Sequence, residues 1–353
     1  MKTILTTTGI SLLSNTKRTY STETPTEDQM RQYLRTEPER ASAETNSLLK
    51  FTEPRDEIVL LHTDTDEARC CAMLIQQFLK GKEYNDVRLV ELQIADDERH
   101  LESRGLRNLV NSLITEIERA QKQEREIIIN ATAGFKAEVV YSTMLGMLYQ
   151  VPVKYLYEKF QSLVTFNPVP LGWDTSLILS YPSFFHWIDS DIRHKCDIES
   201  RLAGLPDKDY IRALLTLPDE DGHIFLSPIG EVIYRRFRRE QQEAQAIEDP
   251  PSANIDKIDD KIASSLLKQQ HHPPKGILDF CHQVANLQPV QQIIGGNYEN
   301  TTLTRIKRIS DDGLIYVLWA DQEKAQNLIV RTTAQGHAQT RKVADWIQQL
   351  LKN

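Results

Sequence analysis

Cysteine is scarce and poorly spaced for chemistry. The 353 residues hold four, Cys70, Cys71, Cys196 and Cys281, and no Cys-x-x-Cys pair that would signal structural zinc or a dithiol redox centre. The adjacent pair cannot readily bridge itself, so a reducing cytoplasm is the expected setting and no metal is expected. No run of about 18 apolar residues exists, and a membrane span is not expected. The opening "MKTILTTTGISLL" is broken by Thr and Gly and lacks a small-residue cleavage pattern, so it reads as a first strand. No Gly-x-Gly-x-x-Gly follows that strand, which argues against a dinucleotide-dependent oxidoreductase. Excess positive charge is missing as well. At a net charge of −8, any RNA or DNA contact has to come from a local basic patch.

What is present is length and alternation. The chain is long enough for two or three domains, and its 40% hydrophobic content can fill more than one core. "KTILTTTG" is a strand entering a glycine turn, and the polar residues 16–46 read as an insertion with helical pieces. "EIVLLHT" (57–63) is a second strand, followed by a helix capped by Asp66 with Cys71, Leu74, Ile75 and Phe78 at helical spacing. "DVRLVELQI" is a third strand. Leu106, Leu109, Val110, Leu113, Ile114 and Ile117 mark an amphipathic helix, and "EIIIN" leads into "NATAGFKAEVVYSTMLGML" and then "VPVKYLYE". Such β/α alternation implies an open, mainly parallel sheet that binds ligands beyond the carboxyl ends of its strands. The loop at Gly134 offers free N–H groups and a helix N-terminus, which favour an anion, often a phosphate. Lys136 adds charge, and Asn130, Thr132, Ser142 and Thr143 add neutral hydrogen bonds. A plain strand-to-helix turn with a solvated lysine fits the same stretch.

After "FNPVPLGWD" the pattern changes. Residues 173–240 read as helices with one extended piece, "GHIFL", before a helix N-capped by Ser227 with Pro228 at its first position; this order suggests a winged helix. Arg235, Arg236, Arg238 and Arg239 are a solvated helix end or a nucleic-acid contact. Residues 241–275, with two Pro-Pro pairs, read as a linker with one short helix at 258–267, in which His271 and His272 are linker residues. Residues 276–353 show a helix ("ILDFCHQVANL"), three strands ("TTLTRIKRIS", "LIYVLWAD", "NLIVRTT") and a closing helix, with a hairpin turn at Asp311, Asp312 and Gly313.

"TTTGISLLSN" and "NATAGFKAEVVYSTMLGML" followed by "VPVKYLYEKF" resemble the ligand motifs of CARF domains, the cyclic oligoadenylate sensors of type III CRISPR systems. The resemblance covers about half the chain. It implies a Rossmann-like CARF domain over residues 1–172 that dimerises and binds the ring across the two-fold axis. By motif, Thr8, Gly9, Ser11, Leu12 and Asn15 line the ligand from the first strand and Ala133, Gly134, Phe135 and Lys136 from the second; "LLHTDTDEA" adds His62, Thr63 and Asp64. The second motif departs from the commoner Thr-Gly-Gly-Thr-Lys form, which loosens the ring size; cyclic tetra-adenylate is favoured as the allosteric activator, and no cofactor is expected.

The CARF resemblance implies an attached output. Arg331 and His337 satisfy the Arg-x4-6-His spacing of HEPN ribonucleases, but Arg331 ends a β-rich run where that motif needs a helix. The α+β segment 276–353 looks like the RelE family of ribosome-dependent mRNA interferases, which cleave without metal by attack of the ribose 2′-hydroxyl. That chemistry needs cations against the phosphate and proton transfer. Arg305, Lys307, Arg308 and Arg331 are the candidate cations, His337 the acid or base and Arg341 a further phosphate contact, although Lys307 and Arg308 face opposite ways in a regular strand. Solvated basic residues on an amphipathic sheet fit equally. The expected protein is therefore an α/β homodimer with CARF, winged-helix and RelE-like parts, acting on mRNA with the ribosome as a further partner. Two rivals remain open: a ring nuclease that cuts its own ligand through Ser11 and Lys136, and a winged-helix transcription regulator.

Overall fold

The strand order of the first sheet is β3-β2-β1-β4-β5-β6. In a computed structural model that describes residues 1–93, 105–157, 162–169, 174–255, 257–268 and 273–351, these strands are β1 (Lys2–Thr8), β2 (Glu57–Thr63), β3 (Asp86–Leu92), β4 (Glu126–Asn130), β5 (Val153–Tyr157) and β6 (Ser162–Phe166). β1 to β5 run parallel and β6 adds an antiparallel edge. Successive side chains on a strand point to opposite faces, and both faces are covered here. Leu5, Val59, Leu61, Ile127 and Ile129 pack against the helices Leu106–Lys122 and Lys136–Tyr149. Ile4, Ile58, Leu60 and Ile128 pack against the helices of residues 11–48 and Asp66–Gly81. Strands buried on both sides must read as continuous apolar runs, which is why "EIVLL" and "EIIIN" do. Each such Ile or Leu contributes about 1.5–3 kcal/mol when buried.

Several sequence expectations change. Residues 16–46 are no peripheral insertion. Four helices, Ser11–Tyr20, Glu27–Thr36, Pro38–Ala41 and Ala43–Leu48, form the crossover from β1 to β2, and Met30, Tyr33, Leu34, Ala41 and Leu48 are core residues of one sheet face. Their spacing is hidden among charged neighbours. The helix after β2 is capped by Thr65, whose side chain accepts from the Ala68 N–H, and Asp66 is its first residue. β6 lies between "VPVKYLYE" and the end of "FNPVPLGWD", in a stretch to which the sequence reading gave no element.

The chain divides into two units. One is Met1–Trp173 with Ile192–Ser200 and Arg212–Val232; the other is Asp174–Asp191 with Arg201–Ile211 and Ile233–Asn353. Residues 173–240 are thus shared between both. Within the first unit, β7 (Arg193–His194) pairs antiparallel with β8 (His223–Ile224), and Ser227 caps the helix Pro228–Ala246 by accepting from the Gly230 N–H at 3.1 Å.

The second unit holds a four-stranded antiparallel sheet, β10-β11-β12-β9, made of β9 (Val290–Glu299), β10 (Arg305–Ile309), β11 (Leu314–Ala320) and β12 (Ala325–Thr332), flanked by the helices Ile277–Ala285 and Gly336–Leu350. The β10–β11 turn is as expected, with Gly313 at φ +81°, a left-handed value that favours glycine. β9 escapes a reading by pattern because two glycines and two glutamines dilute it. A side chain at Gly295 would meet Leu266 Cδ2 at 2.7 Å, so the glycine lets residues 257–268 lie on the sheet. Ile262 bridges Ile293, and the Lys261 ammonium donates to Ala285 O at 2.9 Å. The composition of a linker here describes a segment packed on its sheet. His271 and His272 lie outside the described residues.

Candidate functional site

The sheet order reverses between β1 and β4, and an open α/β sheet binds ligands outside the carboxyl ends at such a point. A cavity of about 560 Å³ lies there, lined by the ends of β1, β2 and β4. The turns after β1 and β4 meet backbone to backbone: a Cβ on Gly9 would sit 3.5 Å from Gly134 N, and the Thr7 hydroxyl donates to Ala133 O. Gly134 has φ +100°, and a Cβ there would lie 1.9 Å from Glu138 Oε2. Only glycine fits both the conformation and the space.

Three helices begin at this rim. Those starting at Ser11 and Lys136 have no side-chain cap, whereas the one starting at Asp66 is capped by Thr65. Uncapped N-termini present N–H donors and positive partial charge, and so attract anions. Lys17 lines the cavity as well. The Thr8 hydroxyl is buried and has no hydrogen-bond partner in the chain, a cost that a ligand's hydrogen bond offsets.

Two buried carboxylates complete the site, and neither was expected from the sequence. Glu44 is fully buried; it accepts from Gly9 N–H and from the Ser11 hydroxyl, both at 2.8 Å. Burial raises its pKa, and those hydrogen bonds oppose the rise. It holds the β1 turn in shape. Glu138 is 4% exposed, and burial pushes its pKa up to about 7 against a hydrogen bond from the Phe135 backbone. A signal was present for Glu138, which stands three residues after the helix's N-cap; nothing local in the sequence marks Glu44.

Of the expected ligand residues, Thr8, Gly9, Ser11, Thr63, Ala133, Gly134 and Phe135 line the cavity. Four others do not. Leu12 is fully buried in the core because its position on the helix points inward. The Asn15 amide donates to Arg40 O and Ala41 O at 3.1 and 3.3 Å. Asp64 and Lys136 are exposed and lie outside the lining. His62 is buried, with Nδ1 2.7 Å from Thr63 O, and is a core histidine.

The six expected catalytic residues do not gather in one place. Arg341 is 1% exposed, donates to Asp345 at 3.1 Å and stacks over Phe237, so it cannot reach a phosphate. Arg305 is buried, bonded to the Tyr181 hydroxyl and paired with Asp207 at 3.0 Å. Lys307 pairs with Glu299 at 2.8 Å and bonds Asn327. A register shift between Ile306 and Arg308 breaks the strict alternation expected of that strand. Arg308 lies over the Tyr316 ring, 4.1 Å from its centroid, and Arg331 is exposed. Arg305 pairs with Leu318 and Arg331 with Leu314, so four residues, about 13 Å along β11, separate them. His337 sits 3.4 Å from Glu240 and 3.1 Å from Asp311, and the Glu240 carboxylate holds its pKa above the ordinary value. Trp319 stacks on Phe280 and serves packing. Arg236 bonds the buried Glu240 and Arg239 the exposed Glu243, each one turn on.

Fold and cavity define a doubly wound α/β domain with an anion-favouring cleft at its switch point. Residues 39–169 match the model of a CRISPR-associated protein family, Cas_APE2256. Two solved structures are similar over much of their length at low superposition: Can2 from Sulfobacillus thermosulfidooxidans in complex with cyclic tetra-adenylate, at 12% identity and TM-score 0.26 over 73% of this chain and 71% of that one, and protein VC1899 from Vibrio cholerae, at 9% and 0.27 over 94% and 77%. No helix among the described residues is long and apolar enough to cross a membrane.

Proposed function

We propose that the first unit senses a cyclic oligoadenylate, with cyclic tetra-adenylate favoured, within type III CRISPR defence. The observation that carries this reading is the cavity between two uncapped helix N-termini with the unpartnered Thr8 hydroxyl in its wall. The family match over residues 39–169 supports the CRISPR setting. A cavity of about 560 Å³ is in the range that encloses a drug-sized ligand. A four-nucleotide ring is larger, so a homodimer sharing one ring across its axis fits the size. The second unit is then the output, a metal-independent ribonuclease acting on mRNA, ribosome-associated, at the sheet face that carries Arg308, Tyr316 and Arg331. Arg305 and Arg341 act in folding, and His337, whose pKa the neighbouring Glu240 carboxylate raises, is the candidate acid.

A second reading has its own observation. Glu138, buried in the cavity with a pKa of about 7, suits general acid or base work near neutral pH, and so favours a ring nuclease that destroys its ligand. One experiment separates the two. The full chain is incubated with cyclic tetra-adenylate, and separately with cyclic hexa-adenylate, in a translation extract while mRNA and ligand are both followed. Loss of mRNA only with a ring, abolished by Arg331→Ala, supports the sensor–ribonuclease reading. Intact mRNA with steady ring breakdown, abolished by Glu138→Gln, moves the chemistry into the cavity, and no binding of either ring refutes both.

A further inference from the structure

Outside the cleft, the first unit gathers metal-ligating side chains from two segments about 25 residues apart in sequence. On β8 and the turn before it, one ligand atom each from Asp219, Asp221 and His223 lies within 4.8 Å of the others. Asp219 Oδ1 stands 3.6 Å from His223 Nδ1. Ligand atoms about 2.1 Å from a tetrahedral zinc lie roughly 3.4 Å apart, so this pair is already at a chelating separation. The Asp219 side chain is 3% exposed, and its Oδ1 accepts from the Asp221 and His223 N–H groups at 3.1 and 2.8 Å. Those bonds fix the carboxylate's direction, as outer partners do for metal ligands.

A second histidine stands across the ladder. His194 on β7 pairs in register with His223, and the ring centroids are 6.1 Å apart. Its Nε2 lies over the turn, 2.6 Å from where a Cβ on Gly222 would be; Gly222 has φ +78°, so the turn admits the ring only as glycine. The other nitrogen, Nδ1, is 3.3 Å from Cys196 Sγ. A histidine that ligates through one nitrogen while a neighbour holds the other is the arrangement that orients an imidazole toward a metal.

We propose that Asp219, Asp221, His223 and His194 bind one divalent transition ion of the zinc class, with Cys196 orienting His194. Two imidazoles and two carboxylates suit zinc, whereas magnesium and calcium take oxygen ligands. The ion ties β7 to the turn that leads into β8, where the ladder has only two residues on each side, and its role is structural. This site is independent of the ligand reading of the cleft.

The test uses the full chain stripped with EDTA, titrated with zinc chloride and separately with magnesium chloride, by calorimetry and by thermal melting. One zinc ion per chain is expected, with a rise in Tm, and no magnesium binding at the same concentrations. His223→Ala and His194→Ala each remove a ligand and are expected to weaken zinc by about 100-fold or more, beyond the roughly 10–100-fold that loss of an outer partner costs. Cys196→Ser falls within that outer range. Asp221→Asn changes an exposed side chain and keeps the test valid should a histidine variant misfold, while His186→Ala, in the other unit, is expected to bind as the unaltered chain does. Absence of zinc binding overturns the proposal, as does one-to-one binding that His194→Ala and Asp221→Asn leave unchanged.

Discussion

Replacing Glu138 by Gln tests whether the cleft is built around a carboxyl that titrates near neutrality. Burial moves this group from an ordinary 4.5 to about 7. At 1.36 kcal/mol per pKa unit, that carries about 3 kcal/mol between its charged and neutral forms. The folded pKa is raised, so the associated stability is fully present below pH 4.5 and is lost as pH rises through 7. Glu138→Gln keeps the shape and the acceptor for the Phe135 N–H while removing the titration. Urea midpoints taken at pH 4.5 and pH 8 are the assay. The variant is expected to match the parent near pH 4.5 and to exceed it by up to about 3 kcal/mol at pH 8. Glu44 and His337 also have raised pKa values, but both are present in each protein and cancel in the difference. An anionic ligand in the same cavity repels the charged carboxylate, so its binding should take up a proton and weaken as pH rises through 7. That trend is expected to vanish in Glu138→Gln. Equal pH dependence of the two proteins, in stability and in binding alike, refutes the assignment of Glu138 as a buried neutral acid.

Gly134→Ala should abolish ligand binding and cost about 1–3 kcal/mol for a side chain at positive φ, since its Cβ would strike Glu138; calorimetry and urea melts read both effects. Glu57 is 1% exposed and holds Arg88, Arg119 and Arg125 at 2.9, 2.6 and 2.7 Å at the amino ends of the strands. Glu57→Gln is expected to destabilise the fold by about 3–5 kcal/mol, the usual cost of breaking a buried ion pair, without changing ligand affinity in the protein that remains folded. In the parent, the Arg partners outweigh burial and hold the Glu57 pKa at about 2; this lowered value gives stability that is present above pH 4.5 and lost as pH falls toward 2. Arg341→Ala, at a buried pair with Asp345, should lower stability by about 3–5 kcal/mol. Arg331→Ala should leave the melting temperature within a degree or two, about the span expected of an exposed substitution, and remove any RNA cleavage.

Local pattern determined the first sheet. β-branched runs, helical spacing and small turn residues read correctly for β1 to β5 and for the helix after β4; the clearest runs, residues 58–61 and 127–129, belong to strands buried on both faces, where no polar position confuses the period. From the β/α alternation the cleft's place at the carboxyl ends of the strands followed, and the resemblance to CARF ligand motifs named seven of the residues that line it. Three features needed the tertiary structure. Leu12 and Asn15 stand in the same motif as Ser11, and only the packing of their helix decides which of them faces the cleft. Glu44 reaches the site from the long β1–β2 crossover, whose sequence separation hides it. Arg305 and Arg341 look in sequence like any basic residue, yet the fold seals them in ion pairs, because a charged side chain announces neither its burial nor its partner. Periodicity is a property of neighbours along the chain and can be read there; a site assembled from distant segments exists only once the chain has brought them together.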